Sequence, residues 1–203
     1  MVAALTFDDG PDPQSTVRFL DTLDRHLARA TFFMIGQRAA ASPSLVREVV
    51  RRGHAIANHT WDHSTFTAIS SAERRRQLKA VERELKPHVA KLFRPPRGHM
   101  SPAARSDLLL LRYTPVTWNV DIDDWRSSDV EAMTYQLVAG VRPGCIVLLH
   151  DSIWEAGSAH SDRGPLLECL DAALSRLSDY RFVTLPELFQ IGKPVASPWS
   201  YDG

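Results

Sequence analysis

Two adjacent carboxylates stand near the start of the chain, in Thr6-Phe7-Asp8-Asp9-Gly10-Pro11, and fifty residues later come two histidines four apart, in His59-Thr60-Trp61-Asp62-His63. One carboxylate oxygen and two imidazole nitrogens make a donor set for a divalent metal, and a second carboxylate beside them is free to move a proton. Three protein ligands leave a coordination position for water and substrate. The chemistry this predicts is metal-assisted hydrolysis.

Both segments set demands on the elements that carry them. Successive side chains of a strand point to opposite faces, so Asp8 and Asp9 serve one site only if the strand of Ala3 to Phe7 ends there. Gly10-Pro11 supplies that end, because glycine tolerates unusual dihedrals and proline cannot donate to a ladder. The spacing of His59 and His63 predicts one side of a helical turn, with Asp62 pointing away from the ligand face. Alone, the first segment fits an ordinary surface turn better than a site, and the second fits a chance pair as well as a ligand pair. Their coexistence carries the inference.

Three further short apolar runs end in ionisable groups. Lys91-Leu92-Phe93 leads into Arg94-Pro95-Pro96-Arg97-Gly98, and Val116-Thr117-Trp118-Asn119-Val120 into Asp121-Ile122-Asp123-Asp124-Trp125. Cys145-Ile146-Val147-Leu148-Leu149 leads into His150-Asp151. In a parallel barrel one rim collects the carboxyl ends of all strands, and with them the reactive groups.

These five segments, in this order, resemble the five motifs of the polysaccharide deacetylases of the NodB-homology type, carbohydrate esterase family four. The resemblance spans most of the chain. It implies a single-domain α/β fold, a distorted (β/α) barrel with about seven strands, and removal of N- or O-linked acetyl groups from a sugar or polysaccharide through a metal-bound water. Position by position, it makes Asp8 the general base, Asp9, His59 and His63 the ligands of one divalent ion, and His150 the general acid. Zinc is the first expectation for that ion, with cobalt or nickel as alternatives. Arg94 would hold Asp8, Asp124 would hold His150, and the backbone N–H of Arg97 would face the oxyanion. Trp125 and Leu148 resemble the residues that line the acetyl methyl pocket.

Two departures from the family pattern stand out. Arg97 occupies a position where the family commonly has an aromatic residue, often tyrosine, and a guanidinium there would attract an anionic substrate. The fourth motif crowds three aspartates together. Asp124 directly precedes Trp125 and is taken as the partner of His150, with Asp121 and Asp123 as alternatives.

Composition bounds the remaining classes. With 203 residues and 44% hydrophobic content, the chain suffices for one well-buried domain, expected over residues 1–191 with a Pro/Ser-rich tail over 192–203. Basic and acidic residues balance at 24 each, which gives no electrostatic case for nucleic acid or an anionic membrane surface. No apolar run reaches membrane-helix length, and no basic-then-apolar leader precedes the first strand. A cytoplasmic branch and an exported catalytic domain with its leader removed both fit. Oligomeric state is not legible. Cys145 and Cys169 read as buried structural thiols.

Between the motifs, helices are expected over Pro13–His26, Ser42–Arg52, Ser70–Lys86, Ser101–Leu111, Asp129–Ala139 and Gly164–Leu177. Strands are expected at Ala30–Ile35, His54–Asn58 and Arg181–Leu185. The alternation predicts a parallel α/β architecture. Trp61, Trp125 and Trp154 are candidates for sugar stacking, His99 for the cleft wall, and the long loop Ser152–Arg163 for closure over substrate. Two other readings are an amidohydrolase of a small non-polymeric substrate and a carbohydrate-binding relic. The full set Asp8, Asp9, His59, His63 and His150 opposes the relic.

Overall fold

The computed structural model describes residues 1–154 and 161–192. The middle of the Ser152–Arg163 loop and the tail beyond Gly192 therefore lie outside the described residues. Seven parallel strands lie side by side in the order β5-β4-β3-β2-β1-β7-β6. They are β1 (Val2–Asp8), β2 (Ala30–Met34), β3 (Ala55–Asn58), β4 (Val89–Phe93), β5 (Thr114–Pro115), β6 (Val120–Asp121) and β7 (Ile146–His150). An eighth, β8 (Arg181–Phe182), pairs with the first two residues of β1.

Helices α1 (Thr16–Arg25), α2 (Gly36–Ala41), α3 (Pro43–Arg51), α4 (Ser71–Leu85), α5 (Pro102–Leu110), α6 (Val130–Gly140), α7 (Gly164–Arg176) and α8 (Leu185–Ile191) alternate with them. The result is the expected distorted (β/α) barrel. Local signals start and stop these helices. Pro43 opens α3, Gly53 follows it at φ 81°, the Ser70 hydroxyl accepts from the amide of Glu73 ahead of α4, and Thr184 with Glu187 forms a capping box on α8. Sequence reading missed α2 and α8, each of which follows a strand end too closely to show its own period.

Strand parity decides what reaches the site. Leu5, Phe7, Phe32, Met34, Val147 and Leu149 face the helices in one large cluster, while Ala4, Phe33, Ala57, Leu92 and Ile146 form a second cluster inside the barrel with Leu185 and Leu188 of α8. Side chains repeat every two residues along a strand. From Ala4 the inward face therefore continues to Thr6 and Asp8, from Ile146 to Leu148 and His150, from Ala57 to His59, and from Leu92 to Arg94. Register levels these ends, since Asp8 pairs with His150 across β1 and β7, and Met34 with Asn58 across β2 and β3.

The expected strand Val116–Val120 is not one: residues 116–119 are an irregular connection between β5 (Thr114–Pro115) and β6 (Val120–Asp121). The segment leaves β4, where the Val116 amide donates to Phe93, and arrives at β7, where the Asn119 amide donates to Ile146. One stretch bridges both edges of an open sheet, so it cannot stay in register with either.

Phe32 stacks on Phe7 at 5.0 Å between ring centres, and Phe7 meets Phe19 of α1 at 5.3 Å. Phe32→Ala is expected to lower stability by about 3–5 kcal/mol through the cavity it leaves, measured by denaturant unfolding.

Candidate active site

The two histidines sit on no helix. Residues 59–63 form an irregular loop in which Thr60 and His63 take positive φ, 69° and 59°, and the expected helical turn is corrected accordingly. The loop is held by partners distant in sequence. The carbonyls of Thr60 and Trp61 accept from the amides of Gly36 and Gln37, and Gln77 of α4 accepts from the amides of Trp61 and Asp62. Asp62 braces the same loop by accepting from Ser64 and from Gln77.

This loop delivers both rings to one carboxylate oxygen. His63 Nε2 lies 3.2 Å and His59 Nε2 3.4 Å from Asp9 Oδ1. Tetrahedral ligands ~2.1 Å from a shared ion sit ~3.4 Å apart, so the spacing fits one cation. The hydrogen bonds agree. His59 Nδ1 lies 2.8 Å from the Arg94 carbonyl, which can only accept, so Nδ1 carries a proton and Nε2 is the nitrogen left to face Asp9 Oδ1. A cation between them satisfies both. Asp9 Oδ2 accepts from the Trp154 amide at 2.9 Å, leaving Oδ1 to the imidazoles. Among the described residues, Asp9, His59 and His63 are the one group of three or more acidic, histidine or cysteine side chains with ligand atoms this close, all within 4.8 Å of one another. Burial alone would raise the Asp9 carboxyl, but His59 and His63, then His150, hold it well below the usual carboxylate range.

Beside this group, Arg94 has no solvent access. Its Nη1 donates to Asp8 Oδ1 at 2.8 Å and to Thr6 Oγ1 at 2.7 Å, and its guanidinium carbon lies 4.3 Å from the centre of the Phe33 ring. Asp8 Oδ2 is left on the cleft side, 3.9 Å from His59 Nε2.

Across the rim His150 Nδ1 meets Asp124 Oδ1 at 3.0 Å, and the His150 amide donates to Asp124 Oδ2. Of the three aspartates in the fourth motif, Asp124 is therefore the one on the histidine. Asp121 accepts from the amide of Asp123, and Asp123 pairs with Arg126 at 2.5 Å, both aspartates lying on the cleft wall and not on the histidine. Arg163 grips Asp124 from behind, donating to its carbonyl at 3.1 Å and to Oδ2 at 2.5 Å. Burial would lower the His150 pKa, but Asp124 outweighs it, with Asp9 and Asp8 adding, and pushes it up to about 9.

A cleft of about 600 Å³ joins these groups, lined among others by Asp8, His150, Arg97, Trp118, Trp125 and Leu148. Arg97 takes φ 61° and its guanidinium donates to Thr65 Oγ1 at 2.5 Å. Gly98 has φ 73°, and a Cβ there would lie 2.6 Å from Trp118, so only glycine lets the indole approach. Of the stacking candidates Trp125 lines the cleft. Trp154 packs instead on His63 and Trp61 on the core, while Trp118, which sequence reading passed over, is in the wall. His99 is not among the lining residues described. Gln77, Arg163 and Arg38 were missed, because a lone polar residue on a helix or in a loop carries no spacing that names its partner.

Comparison with known proteins identifies the family. The polysaccharide deacetylase family matches residues 1–116. A peptidoglycan-N-acetylglucosamine deacetylase of Bacillus cereus is 37% identical over 198 residues, 93% of this chain and 88% of that protein. A chitooligosaccharide deacetylase of Sinorhizobium fredii is 37% identical over 177 residues, 85% and 82% of the two chains. A family 4 acetyl xylan esterase from Clostridium thermocellum, solved with a cobalt ion, superposes at a TM-score of 0.83 with 34% identity over 96% of this chain and 93% of that one. The chain belongs to the polysaccharide deacetylase family and is a carbohydrate deacetylase.

Breaking a buried ion pair strands the other charge. Arg94→Met is expected to cost about 3–5 kcal/mol of stability, read as a fall in the thermal midpoint, whereas Arg126→Met, at an exposed pair, should leave the midpoint nearly unchanged.

Proposed function

We propose that this chain hydrolyses the N-acetyl group of an N-acetylglucosamine unit in a glycan, a peptidoglycan strand or a chitooligosaccharide, with residues 1–191 as the catalytic unit and 192–203 as a tail. One observation carries the reading: Asp9 Oδ1 shared by two imidazoles at 3.2 and 3.4 Å, on the same cleft as Asp8 and His150. Relatives at 37% identity named for peptidoglycan N-acetylglucosamine and for chitooligosaccharide support the substrate class.

Asp9, His59 and His63 would hold the ion, zinc first by donor set with cobalt or nickel also suited. When bound, it supplies Lewis acidity to the acetyl carbonyl and the attacking water. Asp8, its Oδ1 tied to Arg94, takes the proton of that water at Oδ2. The backbone N–H of Arg97 supports the developing oxyanion, a contribution commonly worth ~3–4 kcal/mol. His150 then delivers a proton to the departing amine, while Asp124, gripped by Arg163, keeps the ring oriented and charged. Trp125 and Leu148 enclose the acetyl methyl, and substrates bearing an anionic group near Arg97 gain affinity.

Acetate release from an N-acetylated chitooligosaccharide tests this directly. Chelator should abolish it and added zinc or cobalt restore it; a rate indifferent to chelator overturns the reading. Asp8→Asn is expected to lose about 10²–10⁴-fold in kcat and, because it removes the charge facing buried Arg94, to lower the thermal midpoint as well. An unchanged rate would remove Asp8 as the base.

The acid must be protonated, so kcat should hold below the His150 pKa and fall as pH rises through it. With about 9 in the metal-free protein and a nearby cation lowering it, the alkaline limb is expected at or below about 9. Asp124→Asn should move that limb to lower pH, as a pH profile of kcat would record.

A further inference from the structure

Arg38 on α2 reaches across the rim to the loop that follows His150. Its Nη1 donates to the Asp9 carbonyl at 3.0 Å and to the Ser152 hydroxyl, and its Nη2 donates to the Ile153 carbonyl at 2.9 Å. Its guanidinium carbon lies 5.1 Å from the centre of the Trp154 ring. Trp154 in turn touches two of the three candidate ligands. Its amide donates to Asp9 Oδ2 at 2.9 Å, and its ring lies 5.8 Å from that of His63.

A planar fork with several fixed donors can bridge two carbonyls from different segments, whereas one ammonium serves as a point donor. The contacts of Arg38 thus close a circuit. It joins the backbone of Asp9 to that of Ile153, and the next amide, that of Trp154, returns to the Asp9 side chain. Asp9 needs such support, since its backbone takes φ 75°, a conformation costly for a residue with a Cβ. A carboxylate with both oxygens free can rotate either one toward an ion. With Oδ2 committed to an amide, Oδ1 alone faces the imidazoles.

We propose that Arg38 is a positioning residue for the metal-ligating carboxylate, locking Asp9 and Trp154 together so that Asp9 Oδ1 is presented to the ion. The inference rests on Asp9, His59 and His63 being the ligands. Loss of a partner that orients a metal ligand typically weakens metal affinity ~10–100-fold. The sign is diagnostic. Removing a positive charge near a cation site would tighten binding by charge alone, so weaker binding reports lost positioning.

The test uses the metal-free chain, titrated with cobalt(II) in competition with a chelating dye, together with the visible spectrum of the cobalt-loaded protein. Arg38→Met is expected to weaken cobalt binding ~10–100-fold and to change the spectrum, with circular dichroism showing a retained fold. Binding within about two-fold of the unaltered chain, or tighter, with the same spectrum overturns the proposal. If Arg38→Met does not fold, Arg38→Lys decides: it keeps the charge but loses the fork, so weaker binding with a changed spectrum supports the role and unchanged values overturn it. Failure of the unaltered chain to bind cobalt would instead refute the ligand assignment itself.

Discussion

One guanidinium without access to water ties the barrel to its chemistry. Arg94 leaves the end of β4 and points inward, where its side chain meets Thr6 and Asp8 of β1 and lies against Phe33 of β2. Its backbone carbonyl faces His59 Nδ1, so the same residue braces the proposed base and one proposed ligand. A buried cation is tolerated only when paired and hydrogen-bonded, which makes the position of Asp8 a condition of folding as well as of reactivity. Stability and function therefore converge on the same contact.

Around that hub the rim is built from backbone conformations that ordinary packing avoids. Asp9, Thr60, His63, Arg97 and Asp123 all adopt positive φ, and all lie in the segments that follow strand ends. Such conformations persist only where the surroundings over-determine them, and here the surroundings are visible. The amide of Trp154 and the side chain of Arg38 hold Asp9, Gln77 holds the histidine loop, and a glycine next to Arg97 admits Trp118. The braces come from helices and loops far away in sequence. The strained residues carry the motifs.

The two sides of the cleft are electrostatically opposed. On one, two imidazoles outweigh burial and hold Asp9 ionised. On the other, Asp124 outweighs burial and raises His150. An anionic candidate metal ligand and a protonated acid can thus coexist at one pH, a division that comes from the placement of neighbours. Parallel strands in register make it possible, since Asp8 and His150 stand opposite each other on β1 and β7.

What the sequence determined by itself was the inventory of chemistry and the alternation of elements. Asp8-Asp9-Gly10-Pro11 announced a strand end, and apolar runs closing in Arg94, Asp121 and His150 announced a common rim, because these signals are local. It did not determine the path of residues 59–63, whose spacing mimics a helical turn while its hydrogen bonds run to Gly36, Gln37 and Gln77. Nor did it show the irregular path of residues 116–119 between two sheet edges or the part of Arg38 and Arg163; it did name Asp124 as the partner of His150, by its place before Trp125, with Asp121 and Asp123 as alternatives. Strand parity was equally hidden, since both faces of these strands are buried and apolar and no alternation is written in them. Those features depend on which distant groups meet, and only the closed tertiary structure decides that.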